Sequence, residues 1–128
     1  MPPTAKVFLI LGAVNALIAV VLGAFGAHAL KTRLSAELMA VYQTGIHYHL
    51  IHALGLLLVG LLATQLPASA YLRWSGWLMM AGIALFSGSL YALSVTGLRW
   101  LGAITPVGGM AFILAWALFI MAALKAPS

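Results

Sequence analysis

The amino-acid sequence predicts an all-α integral membrane protein, a bundle of four transmembrane helices. The chain of 128 residues is 65% hydrophobic and only 5% charged, whereas soluble domains contain roughly 25% charged residues. A soluble fold of this size could not bury so much apolar surface, so the solvent around the protein must be lipid. The charged residues also leave four long uncharged stretches, each longer than the roughly 20 residues that cross a bilayer as a helix.

The predicted helices cover residues 7–30, 38–66, 74–96 and 105–124, within a single membrane domain formed by residues 1–128. Ser35 is a candidate N-cap of the second helix, with Glu37 in its first turn. Gly97 is expected to end the third helix. Thr105 and Pro106 are expected to be the N-cap and first residue of the fourth, because proline lacks an N–H and has a fixed φ.

Small residues predict which helix faces pack together. Glycine and alanine spaced by about four residues let helix backbones approach closely in membranes. The residues with this pattern are Gly12, Ala16, Ala19 and Gly23 in the first helix, Ala84, Gly88 and Ala92 in the third, and Gly108 and Gly109 in the fourth. The opposite face of the first helix carries Val14, Leu17, Val21 and Phe25, and we expect it to contact lipid.

The composition excludes several classes of function. Cysteine is absent, which rules out disulfides, thiolate metal sites and iron–sulfur clusters. Glu37 is the only acidic residue, so acid–base catalysis by a pair of carboxylates is excluded by count. The six basic residues are scattered rather than clustered on one stripe, so we expect no nucleic-acid partner. Together these absences favour a protein that is not an enzyme.

Polar residues gather in one leaflet. Because successive helices alternate in direction, the end of the first, the start of the second, the end of the third and the start of the fourth lie together. The polar residues there are His28, Tyr48, His49, His52, Ser87, Ser89, Tyr91 and Thr105. Polar groups are costly in hydrocarbon unless they are satisfied, so they predict a polar pocket or a closed hydrogen-bonded cluster.

The segment GIHYHLIHAL contains three histidines that should point in different directions. With a helical period of about 3.6 residues, His49 and His52 share an inward face, whereas His47 points toward the headgroups. We expect His52 to be the most important histidine because it lies deepest. Its expected partners are Tyr91, Ser87 or Ser89 of the third helix and Thr105 of the fourth.

Four segments, LGAFGAHAL, YHLIHAL, LFSGSLYAL and ITPVGG, together resemble the YgdD-like small membrane proteins, domain-of-unknown-function family 423, which also has eukaryotic relatives. The resemblance extends over essentially the whole chain. It implies four membrane helices and a location in the bacterial inner (plasma) membrane, and it brings no established activity. It draws attention to Gly23, Gly26, His28, His52, Ser87, Gly88, Ser89, Tyr91, Thr105, Pro106, Gly108 and Gly109.

Several chemical alternatives remain for the histidines. His49 and His52 are three residues apart and could ligate one metal ion with His28, but no acid or cysteine completes the set and His28 lies opposite the small-residue face. Haem ligation by two histidines is a similar alternative. A hydrolytic pair of His52 with Ser87 or Ser89 would lack an acid to orient the ring.

Two functional hypotheses are favoured over these alternatives. The first is a structural or interaction module without a cofactor, in contact with the lipid bilayer and associated with copies of itself or with another membrane protein. The second is a module that binds or transports a lipid, a quinone or another small amphiphile in a one-sided polar vestibule.

The charges leave the orientation open. Lys6, Arg73 and Lys125 share one side of the membrane, and Lys31, Arg33 and Arg99 share the other. We expect both termini on the same side, and the family resemblance favours the cytoplasm.

Overall fold

The computed structural model describes all 128 residues as four long helices without strands. Helix α1 spans Pro3–Leu30, α2 spans Ala36–Gln65 and α3 spans Ala70–Thr96, and each is long and apolar enough to cross a membrane. A 3₁₀ turn, Arg99–Ala103, leads into α4, Thr105–Lys125. The chain is therefore an all-α multi-pass membrane protein, as predicted, and an even number of spans brings both termini to one end of the bundle.

Capping explains three of the helix boundaries. The Ser35 hydroxyl accepts from the Leu38 N–H at 3.1 Å and confirms the predicted N-cap of α2. Ser69 caps α3 in the same way, accepting from the Leu72 N–H at 3.2 Å, so α3 begins four residues earlier than predicted. Helix α3 ends at Gly97, whose φ of 73° is the left-handed conformation that favours glycine.

The start of α1 and the N-cap of α4 also differ from the sequence-based expectation. Helix α1 begins at Pro3 rather than residue 7, because a proline without an N–H is well suited to the first turn. The prediction that Thr105 is the N-cap of α4 is wrong. Thr105 lies inside the first turn, and its hydroxyl is bonded to the Ser89 hydroxyl at 2.6 Å instead of to its own helix.

Helices α1 and α3 each contain one π-helical turn, at Leu22–Gly26 and Ile83–Ser87. A π turn accommodates an extra residue, so the residues in and beyond it are rotated relative to a regular α-helix. This rotation changes which side chains of α1 and α3 face the bundle interior.

Helix α1 packs along α2 and α4 packs along α3, while α2 and α3 join the two pairs. The apolar core lies mainly toward the end that carries the termini; it consists of Phe8, Leu56, Val59, Leu72, Met79, Ile83, Phe112, Ala115 and Ala122. Val14, Leu17, Val21 and Phe25 of α1 are exposed on the outside, which agrees with the predicted lipid-facing surface.

Candidate functional site

A chain of side-chain hydrogen bonds crosses three helices near the middle of the bundle. His49 of α2 is 2.9 Å through its Nε2 from Asn15 Oδ1 of α1, and 2.8 Å through its Nδ1 from the Tyr91 hydroxyl of α3. The Asn15 amide nitrogen donates to the Leu11 carbonyl at 2.8 Å and lies 3.4 Å from Met80 Sδ. His49 therefore connects α1 to α3.

These partners determine the tautomer of His49. The Leu11 carbonyl can only accept, so the amide nitrogen of Asn15 must face it and Oδ1 must face His49. Nε2 of His49 then carries the proton and donates to Asn15. Nδ1 has no proton left to donate and accepts from the Tyr91 hydroxyl.

His52 connects α2 to α4 in a second, separate arrangement. Its Nδ1 lies 2.7 Å from the Tyr48 carbonyl oxygen, and its Nε2 accepts from Trp116 Nε1 at 3.0 Å. The ring is stacked on Phe112, with the ring centroids 3.5 Å apart. Since a carbonyl only accepts and an indole N–H only donates, His52 is a neutral ring protonated at Nδ1.

His52 is buried, as predicted, but the partners expected for it were wrong. The Tyr91 hydroxyl bonds to His49, about one helical turn before His52 on α2. Ser87 donates to the Gly45 carbonyl at 2.7 Å, and Ser89 is paired with Thr105. These hydroxyls therefore tie α3 to α2 and α4 without reaching His52.

The π turn of α1 is held by a tyrosine from α2. The Tyr42 hydroxyl donates to the Leu22 carbonyl at 2.6 Å. A Cβ atom on Gly26 would collide with this hydroxyl oxygen, so glycine is required there for the contact to form. Tyr42 thus joins α1 and α2 beyond the Asn15–His49 connection.

The side chains of two predicted site residues make no hydrogen bond in this network. His28 is exposed at the end of α1, so the structure does not bring it to His49 and His52. Tyr48 contributes its carbonyl oxygen to His52, and its partly exposed ring packs against Phe86. His47 is exposed, as predicted.

The arrangement does not favour a metal site at the histidines. All four ring nitrogens of His49 and His52 are within hydrogen-bonding distance of protein groups. No group of three or more His, Cys, Asp or Glu residues is placed to hold an ion. A metal at His49 and His52 would have to displace these hydrogen bonds without the third ligand that His28 was expected to supply.

The sequence-based site omitted two residues that complete the network, Asn15 and Trp116. Asn15 was visible as the only polar residue in the middle of the first helix, on the edge of its small-residue face. Trp116 gave no comparable signal, because a tryptophan in an apolar helix is indistinguishable from a core or lipid-facing residue until its N–H is placed beside an acceptor.

The polar network is closed. Every buried side-chain nitrogen and oxygen has a hydrogen-bond partner within the protein. Five cavities are lined by other residues: four lie at the end that carries the termini, one of them beside Met1 and Lys6, and the fifth lies on the outer face of α4.

Several glycines, including Gly12 and Gly108 of the predicted set, lie where two helices approach closely. A Cβ on Gly12 of α1 would lie 2.8 Å from the Leu57 backbone nitrogen, and one on Gly60 of α2 would lie 2.9 Å from that of Leu9. A Cβ on Gly108 of α4 would collide with the Phe86 backbone. Ala19 is buried, Ala16 is half-buried, and Gly23 would place a Cβ 3.2 Å from Ile46.

The predicted small residues of α3, and Gly109 of α4, lack close helix contacts within a single chain. Ala84 is exposed, and a Cβ on Gly88 would meet nothing closer than the Ile83 carbonyl oxygen at 4.0 Å. Ala92 is half-buried, and Gly109 has only ordinary contact distances, 3.9 Å to Phe86. For Ala84, Gly88 and Ala92 the physical reason is the π turn at Ile83–Ser87, which rotates this face of α3 away from the bundle.

A family described as "Protein of unknown function (DUF423)" matches residues 22–109, from the π turn of α1 to the start of α4. The chain belongs to this family. The match includes Tyr42, His49, His52, Ser87 and Tyr91, whereas Asn15 and Trp116 lie outside it. The recognition made from the four sequence segments is confirmed.

Relatives named UPF0382 membrane proteins match the chain nearly end to end. The chain is 56% identical to the UPF0382 membrane protein YwdK of Bacillus subtilis over 120 residues, which cover 94% of this chain and 98% of the relative. It is 49% identical to a UPF0382 membrane protein of Staphylococcus epidermidis, with 94% and 97% covered. No solved structure matches the chain.

Proposed function

We propose that this multi-pass membrane protein is a structural interaction module, a rigid four-helix bundle that associates in the bilayer with copies of itself or with a larger membrane protein. The observation that carries this proposal is the complete pairing of buried polar groups inside the bundle. A module that binds or transports a ligand through the bundle interior would need polar groups directed into a cavity there. Here the histidines, serines and tyrosines are bonded to one another and to backbone carbonyls.

The outer face of α3 supplies a surface for association. Small residues on α1 and α4 are used inside the bundle, but Ala84 is exposed and Gly88 has open space beside it. Such small-residue faces let two membrane helices approach closely. This supports a contact centred on Ala84, Gly88 and Ala92, in the leaflet away from the termini.

The experiment is energy transfer between donor- and acceptor-labelled copies in lipid bilayers, at several protein-to-lipid ratios. Gly88→Leu should reduce the transfer signal and leave the melting temperature unchanged, because the added side chain points into open space. The matched control is Ala13→Leu, which enlarges an exposed residue on α1. The proposal of self-association fails if the wild-type protein gives no transfer at any ratio, or if Gly88→Leu and Ala13→Leu behave alike.

We also propose that the protein carries no metal or haem at His49 and His52. The engagement of all four ring nitrogens by protein groups supports this. Elemental analysis and the visible absorption spectrum of protein purified without chelators test it. A stoichiometric metal lost in His49→Ala, or a haem absorption band, would contradict it.

The bacterial relatives, named as membrane proteins, support a location in the inner (plasma) membrane. We propose that both termini face the cytoplasm, and thiol labelling of single cysteines placed at positions 35 and 69 tests this orientation.

A further inference from the structure

A groove lies between the first turns of α1 and α3, at the end of the bundle that carries the termini. It has a volume of about 210 Å³ and is lined by Pro3, Thr4, Val7, Phe8, Arg73 and Trp77. Arg73 and Thr4 are one helical turn closer to the bundle end than Trp77 and Phe8, a distance of about 6 Å. The groove therefore has a polar rim and an apolar floor.

The polar rim is shared with a second cleft. Thr4 and Arg73 also line a cavity of about 210 Å³ that extends under the loop between α2 and α3, where Leu66 and Ser69 form part of its wall. On the other side of the same loop, a cleft of about 410 Å³ is lined by Lys125 and Tyr71. Two basic residues thus stand on either side of one interfacial loop.

The charge at this end of the bundle is not compensated by any acidic side chain. Glu37, the only acidic residue, is at the opposite end and is paired with Arg99 at 3.1 Å. The Arg73 guanidinium has neither an ion pair nor a side-chain hydrogen bond within the protein. An unpaired guanidinium presents a planar fork of donors that matches two oxygens of a phosphate.

We propose that this groove binds an anionic glycerophospholipid. Its phosphate is held by the Arg73 guanidinium and the Thr4 hydroxyl, and one acyl chain lies along the exposed side chains of Val7 and Trp77. The apolar floor favours a lipid over free phosphate, because inorganic phosphate would leave those side chains uncovered. A headgroup with net negative charge is favoured over a zwitterionic one, because an ammonium group would find no carboxylate side chain at this end.

The Phe8 and Trp77 rings preform the floor. They pack edge to face with centroids 5.1 Å apart, and Phe8 is buried while Trp77 is partly exposed to the membrane. Tryptophan is common at this depth, where one edge of the ring meets headgroups and the other meets acyl chains. The lipid site lies in the leaflet of the termini and is independent of the Gly88 face in the other leaflet.

The test is native mass spectrometry of the full chain released from bilayers that contain equal amounts of phosphatidylglycerol and phosphatidylcholine with identical acyl chains. The wild-type protein should retain one phosphatidylglycerol per chain. Arg73→Gln should weaken this binding about tenfold, which corresponds to about 1.4 kcal/mol. Arg73→Lys should weaken lipid binding less than Arg73→Gln does, because lysine keeps the charge. Some affinity should still be lost, because lysine lacks the planar fork of donors.

Arg33→Gln is the matched control, since Arg33 is an exposed basic residue at the opposite end of the bundle. It should retain the lipid as the wild type does. Equal retention of the two lipids, or equal loss in Arg33→Gln and Arg73→Gln, would overturn the proposal in favour of nonspecific attraction to charge.

A second measurement distinguishes binding of the whole lipid from binding of a phosphate group alone. Short-chain phosphatidylglycerol should raise the melting temperature of the wild type but not of Arg73→Gln, whereas inorganic phosphate at the same concentration should not raise it. An equal rise with inorganic phosphate would replace the lipid site with a simple anion site and overturn the proposal. The melting temperature of Arg73→Gln without lipid verifies that this variant is folded.

Discussion

At the scale of single residues, His49 and His52 are both buried neutral rings with two hydrogen-bonded nitrogens, but they adopt opposite tautomers. Each ring must satisfy two nitrogens in hydrocarbon, where an unpaired polar group is costly. His49 faces an amide oxygen and a hydroxyl, so it donates from Nε2. His52 faces a backbone carbonyl and an indole N–H, so it donates from Nδ1. The hydrogen-bond partners, rather than the histidines themselves, decide which ring nitrogen carries the proton.

This pairing predicts the ring protonation pattern directly. In ¹⁵N-labelled protein at neutral pH, NMR correlations between the ring nitrogens and carbon-bound protons should show a protonated Nε2 in His49 and a protonated Nδ1 in His52. Trp116→Phe removes the donor to His52 Nε2 and should shift only the His52 signals. Identical tautomers at both positions would contradict the hydrogen-bond assignment.

Removing His49 should lower the stability of the bundle, because its ring links α1 to α3. His49→Ala leaves Asn15 Oδ1 and the Tyr91 hydroxyl without partners. Unsatisfied buried groups cost about 1–3 kcal/mol, although hydrogen bonds between membrane helices average only about 0.6 kcal/mol. We expect His49→Ala to lower the free energy of unfolding by about 1–2 kcal/mol, measured by denaturant unfolding in detergent.

The control for this measurement is His47→Ala, which changes an exposed ring on the same helix and should have almost no effect. A double-mutant cycle with Tyr91→Phe isolates the His49–Tyr91 bond. If His49→Ala and His47→Ala are equally stable, the three-helix connection does not stabilise the bundle.

At the scale of helices, backbone approach divides the glycines into two classes. Gly12 faces the backbone of α2, where a Cβ would lie 2.8 Å from the Leu57 nitrogen, so Gly12→Ala must push the helices apart. Overpacking of this kind costs about 1–3 kcal/mol. Gly88→Ala meets open space and should be neutral or stabilise α3 by up to about 1 kcal/mol through helix propensity. Melting temperatures of the two variants check this, and equal destabilisation would count against the packing of α1 on α2.

The same helices show which features were predictable from the sequence. Membrane spans and the Ser35 cap depend on local composition and on residues within one turn, so they were predicted correctly. The outward position of Ala84 was not predicted, because an extrapolated helical period does not include a π turn. The partners of His52 were not predicted either, because Trp116 is 64 residues away and only the packing of α4 brings its N–H to the ring.

At the scale of the whole molecule, the bundle has two unlike halves. The end that carries the termini contains most of the apolar core and the groove at Arg73, whereas the interhelical links made by Tyr42, Ser87 and Tyr91 lie toward the opposite end. Four spans require the loop at Ser69 to be on the side of the termini and the loop at Ser35 to be on the other side. This requirement can be tested without disturbing the fold, because the chain has no cysteine of its own.

Single-cysteine variants Ser69→Cys and Ser35→Cys in intact cells should therefore give opposite results with a membrane-impermeant thiol reagent. With the termini in the cytoplasm, the reagent should modify position 35 before lysis and position 69 only after it. Both positions are N-caps whose hydroxyls accept one backbone N–H, so the substitutions weaken a cap by about 1 kcal/mol and leave the spans intact. Labelling of position 69 alone in intact cells would reverse the orientation and keep the four-helix fold. Labelling of both positions from outside would contradict the fold itself, because no arrangement with a single span between Ser35 and Ser69 brings both loops to one side.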